Sequence, residues 1–219
     1  MEVLITDVTE MGGGNYCVAG WDIVAKRMVR PLPGGSNWPS ALLGQYGIAA
    51  GKLIRVEPRG APNGIFPHRT EDTPIDVNSI AVSNGVFSDW LGASAPEVAV
   101  NLNTGFGGHL EWNSEWNGVR QGVHTRPRVQ CNSLVGVRIP KASLSFAENF
   151  GKLKAVLDDG SSRYQFTVSN RMLKEAWRAG GLEAVNNVLP TRSEFHVRVG
   201  LARPFQDPPK CFAMLNGVL

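Results

Sequence analysis

Apolar and polar residues alternate most cleanly on either side of Asp158-Asp159-Gly160. Leu153, Ala155 and Leu157 come before it; Tyr164, Phe166 and Val168 come after. A period of two puts successive side chains on opposite faces of a strand, and Asp-Gly supplies the turn. The pattern predicts a hairpin of strands 152–157 and 163–168. Residues 52–57 show a similar half-wet pattern, with Leu53, Ile54 and Val56 set among Lys52, Arg55 and Glu57, and they end at Pro58. Apolar runs at 3–8, 16–22 and 27–30 read as a three-strand meander with a turn at 24–26. Residues 33–50 read as loop with one helical turn near 41–43.

The middle of the chain is less regular. Residues 59–64 read as a loop, and 84–91 as a short helix carrying Phe87, Trp90 and Leu91. Residues 101–122 are rich in Asn and Gly, carry Trp112 and Trp116, and show little strand signal. Such a stretch is either a functional loop or an element in disguise. The second half is clearer. Strands are expected at 133–139 and 143–146, then the hairpin, then a helix from about 170 to 188, then strands at 194–202 and 211–219. Ser169 is the expected cap. Leu173, Ala176 and Trp177 share one helical face, Gly180-Gly181 interrupts the helix, and Pro190 ends it. Four strands, a helix and two strands fit a small, partly open Greek-key barrel of the OB type. The expected fold is mainly β: two tandem OB-like small β-barrels, residues 1–125 with long loops and 126–219 with the helix inserted in the C-terminal half.

Two phrases match across the halves: Val29-Arg30-Pro31-Leu32 and Ala202-Arg203-Pro204-Phe205. Proline fixes its own φ and pushes the preceding residue toward extended geometry, so each arginine is held in direction. They suit equivalent phosphate anchors in two related units, and equally suit staples that close a barrel.

Charge narrows the partners little. The 219 residues carry a net charge of +3, and arginine outnumbers lysine. Arginine favours bidentate phosphate contacts and stacking on flat rings. The three cysteines, Cys17, Cys131 and Cys211, are far apart in apolar contexts and read as buried free thiols of a reducing cytosol. No signal peptide or membrane span is expected, and the expected location is cytoplasmic.

Cations and rings interleave in three groups: Arg27, Arg30 and Trp38; His124, Arg126 and Arg128; Arg198, Arg203 and Lys210. Single-strand binders use this mixture, with cations tracking the backbone and rings stacking bases. In this reading Arg30 and Arg203 anchor phosphates, Arg128 and Arg198 extend the track, Trp38 or His68 stacks a base, and Arg69 lies beside His68. Trp21, Trp90 and Trp177 are expected in the core, and His196 is expected to face solvent or a groove. No metal-ligand spacing, phosphate loop or nucleophile motif occurs, so no catalytic residue, metal or cofactor is expected. Two alternatives stay open: an adaptor for an effector protein, and a hydrolase or nuclease using His68, Glu71 and Asp72.

Cys17-Val-Ala-Gly20, Met28-Val-Arg-Pro-Leu32, Pro67-His-Arg-Thr-Glu-Asp72, Ser133-Leu-Val-Gly-Val-Arg138, Val199-Gly-Leu-Ala-Arg-Pro-Phe205 and Asn216-Gly-Val218 occur in order along nearly the whole chain. In these motifs the sequence resembles the dual OB-domain family of prokaryotic conflict and defence systems. The resemblance implies two OB-like barrels and a nucleic-acid-binding or sensing role beside an effector partner. It supplies no catalytic residues.

Overall fold

A computed structural model describes residues 1–62, 64, 66–85 and 98–219. The helix expected at 84–91, with Phe87 and Trp90, lies outside the described residues apart from its first two positions. The chain forms two compact units, Met1–Ala95 and Pro96–Leu219. Each contains a curled sheet, and the fold is mainly β with a helix in the C-terminal half, as tandem OB-like barrels require.

The first unit opens with the predicted meander: β1 (Glu2–Glu10), β2 (Asn15–Asp22) and β3 (Arg27–Pro33). Asp22 Oδ1 accepts from the backbone N–H groups of Val24 and Ala25, which closes the turn between β2 and β3. After β4 (Trp38–Pro39) comes the expected short helix, α1 (Ser40–Gln45). β5 (Lys52–Arg55), β6 (Asp72–Ile75) and β7 (Ala81–Asn84) complete the sheet, whose order is β6-β3-β2-β1-β5-β7, with β4 on β2. All pairs are antiparallel except β3 with β6. Val3, Ile5, Val18, Val29, Ile54 and Ile75 meet in its core. Gly20 leaves no room for a side chain against β1, since a Cβ there would sit 2.4 Å from the Leu4 carbonyl oxygen.

The second unit begins earlier than the boundary expected at residue 125. A short α2 (Leu102–Gly105) precedes β8 (Ser114–Trp116), β9 (Val119–Gln121) and β10 (His124–Thr125). β9 pairs with Arg163–Gln165 and β10 with Cys211–Phe212, so backbone hydrogen bonds tie this stretch to the C-terminal sheet. The remaining order follows the sequence reading: β11 (Leu134–Pro140), β12 (Leu144–Asn149), β13 (Lys152–Asp158), β14 (Arg163–Val168), α3 (Arg171–Asn187), β15 (Glu194–Leu201) and β16 (Cys211–Val218). The sheet runs β11-β15-β16-β14-β13-β12, and β14 with β16 is parallel.

Helix α3 is capped one residue later than expected. The Asn170 side chain accepts from Leu173 N–H at 3.0 Å, whereas Ser169 Oγ contacts the Leu215 carbonyl and Asn216 Oδ1 in β16. Gly180 and Gly181 leave helical geometry, as their pairing suggested. Trp177 is half-buried rather than core, with Nε1 donating to Glu148 Oε2 at 3.2 Å. Among the described residues no helix is long and apolar enough to cross a membrane.

Candidate nucleic-acid interface

The two Arg-Pro phrases lead to opposite places. Arg30 lies inside β3, not at its end, in register with Asp72 of β6. Its side chain is buried, and Nη1 donates to Asp72 Oδ1 at 2.7 Å while Nε donates to Cys17 Sγ at 3.0 Å. Its backbone N–H donates to the Glu71 carbonyl at 2.7 Å. Burial alone pulls the guanidinium pKa down, but Cys17 and Asp72 outweigh it and the value is raised. Arg203 sits just past the end of β15 and is exposed. Arg30 therefore staples β3 to β6 from within, and Arg203 faces solvent.

The other expected contacts divide the same way. Trp38 is fully buried, and its Nε1 donates to the Pro31 carbonyl at 2.7 Å. His68, Glu71 and Asp72 are all buried, and Asp72 is already committed to Arg30. Arg69 and Arg128 are exposed, Arg128 with a left-handed backbone (φ 68°). Arg198 is buried in β15, two residues from His196, which is also buried and does not face solvent. Both faces of β15 are covered, so alternation there does not separate wet from dry.

Burial, with Arg198 and Arg138 nearby, lowers the His196 pKa to about 3 from an ordinary 6.5. The native ring is therefore neutral, and acid protonates the unfolded chain first. The stability that His196 contributes is complete above about pH 6.5 and is lost as pH falls toward 3. The melting temperature should fall between pH 7 and pH 4, and His196→Leu should flatten that fall. Parallel acid limbs in a pH series of thermal unfolding would refute this.

The exposed aromatic chemistry lies where the sequence showed little strand. β8 and β9 form a hairpin turned by Asn117-Gly118, both with positive φ (49° and 72°). Trp116 is 71% exposed on this hairpin. The Arg120 guanidinium lies 3.9 Å from the centre of the Trp112 ring and donates through Nη1 to Ser162 Oγ at 2.7 Å. Glu115 Oε2 lies 3.6 Å from Arg120 Nε, so the cation is braced on several sides. An Asn-Gly pair is the strongest short-range hairpin signal, and it stood at 117–118.

The neighbouring strands present Lys154, Gln165, Thr167, Phe212 and Met214 on their outward faces, alternating with buried Leu153, Ala155, Phe166, Val168, Ala213 and Leu215. Lys154 Nζ donates to Thr167 Oγ1 at 2.8 Å. Its pKa is lowered by partial burial and by Lys152. These outward residues line a cavity of about 170 Å³ together with Gly122 and Val123. No protein-family model matches the chain, and no curated protein matches it. Among the described residues no group of three or more His, Cys, Asp or Glu side chains is arranged to hold a metal ion.

Proposed function

We propose that this chain binds single-stranded nucleic acid, or a nucleotide, on the outer face of the second sheet, as a sensing protein without chemistry of its own. The Trp112–Arg120 stack lies on the side of buried Tyr164, so the observation that carries the reading is Trp116, 71% exposed on the outer face that β9 and β14 share with the exposed cation of Arg163. A ring such as Trp116 stacks any base, because every base has a π-face, while an exposed cation such as Arg163 neutralises phosphate. Exposed Arg128 and Arg203 belong to the same unit and add positive charge for a phosphate track. Arg30, Trp38 and Arg198 contribute from inside, by holding the barrels in shape. A role beside an effector protein in prokaryotic defence is the setting that the family resemblance implies.

The test is fluorescence anisotropy of labelled single-stranded DNA and RNA across a salt series. Log affinity should fall linearly with log salt, by a slope of about 0.7 for each phosphate neutralised. Trp116→Ala should weaken binding about tenfold, within the range of about 1–3 kcal/mol per stacked base, at unchanged melting temperature. No binding at low salt, or an affinity indifferent to salt, overturns the proposal.

A protein adaptor is the second reading. Phe150, 95% exposed after β12, and Phe205, 67% exposed after β15, are the kind of apolar anchor that a protein partner buries. Salt-independent capture of a neighbouring effector, lost with Phe150→Ser, favours it.

A further inference from the structure

The outward cavity of the second unit exists because two strand pairs part company. Along β14, residues Arg163–Gln165 pair with β9, but Thr167 and Val168 pair with β16. Along β16, Cys211 and Phe212 pair with β10, but Met214 and Leu215 pair with β14. Gly122 and Val123 cross the fork between β9 and β10, anchored where Ala213 N–H donates to the Val123 carbonyl at 2.9 Å. The strands cannot close the space without breaking one of these ladders, so the fork is a built opening.

Its lining has two characters. Phe212 and Met214 make an apolar side, and the Phe212 ring is braced by His124 at 5.6 Å between centroids. Lys154, Gln165 and Thr167 make a polar side. A flat heteroaromatic ring needs this division: apolar contact for its faces, donors and acceptors for its edge. A primary amide such as Gln165 can present an N–H and a C=O side by side in a single plane, the arrangement that reads a base edge in pairs. Methionine sulfur adds favourable contact with an aromatic ring. No lining residue is acidic, and Lys154 supplies the one charge, positive and partly buried. An anionic ligand bearing a flat ring fits this site; a cationic one does not.

We propose that the fork between β14 and β16 takes one nucleobase, its edge met by Gln165 and Thr167, its faces by Phe212 and Met214, and its phosphate by Lys154. This rests on the nucleic-acid reading above and adds a specific base seat to it. The same chemistry is offered by a base within a strand or by a free nucleotide, and the test separates them.

Three ligands are measured against the full-length protein: a short single strand, a strand of equal length and charge made wholly of abasic sites, and adenosine monophosphate. Gln165→Ala and the cavity-filling Met214→Trp should each weaken the normal strand about tenfold, the scale of one lost base contact. Neither should change binding of the abasic strand, and thermal melts should match the parent. Adenosine monophosphate that binds and shifts the Met214 methyl resonance makes a free nucleotide the occupant. A normal strand that produces this shift where the monophosphate does not makes a strand base the occupant. Should both variants bind the normal strand like the parent while Trp116→Ala weakens it, the base seat is overturned and the nucleic-acid reading survives. Should no ligand bind at low salt, both fall.

Discussion

Arg30→Met should lower the free energy of unfolding by about 3–5 kcal/mol, the cost of stranding one charge of a buried pair. The side chains of Arg30 and Asp72 are 3% and 0% exposed, and their atoms meet at 2.7 Å. Removing the cation leaves the Asp72 carboxylate in a dry place and takes a donor from Cys17 Sγ. Asp72→Leu should cost a similar amount from the other side. The double variant should recover much of the loss, because apolar replacement of both partners of a buried pair is often nearly neutral. Denaturant unfolding of the four proteins forms a double-mutant cycle. Losses below about 1 kcal/mol would mean that the pair behaves like a surface ion pair, and that the staple is misjudged.

Trp38→Ala should also cost about 3–5 kcal/mol, the usual range for emptying a buried aromatic site. Trp38 has no exposed surface, and the Pro31 carbonyl would lose its indole donor. Trp116→Ala, by contrast, should change stability by no more than about 0.5 kcal/mol, as exposed positions usually do. Both indoles stand in segments that read as loop from sequence alone. Chemical unfolding of the pair separates them: equal losses would contradict the burial assigned to each.

What the sequence revealed follows from where local signals were strong. Alternation with Asp-Gly located the β13–β14 hairpin to within a residue at each strand end, because both strands have one buried and one outward face. The order of strands around α3 was legible for the same reason. β6, β7 and β10 were missed because they are two to four residues long and are held by partners far along the chain. β8 and β9 were missed although their turn was written plainly at Asn117-Gly118, because abundant Asn and Gly diluted the strand signal. Arg30, Trp38, Arg198 and His196 show the limit for side chains. Alternation cannot place a charged or aromatic residue in a strand covered on both faces, as β3 and β15 are, or in a strand of two residues, as β4 is. Asp72 decided for Arg30, 42 residues away.

The parallel ladders of β3 with β6 and β14 with β16 impose an order on folding. An antiparallel hairpin needs only a tight turn, so β13–β14 and β2–β3 can form early from local contacts. A parallel partner cannot be reached by a tight turn. β14 must wait while α3 and β15 are laid down before β16 arrives on its edge, with Thr167 opposite Met214. The entropy of closing that long loop is lost before the ladder returns any energy, so docking of the antiparallel β15–β16 pair onto β14 is the expected slow step of the second unit, to be checked by refolding kinetics. The fork beside that ladder is then the last part of the surface to take shape.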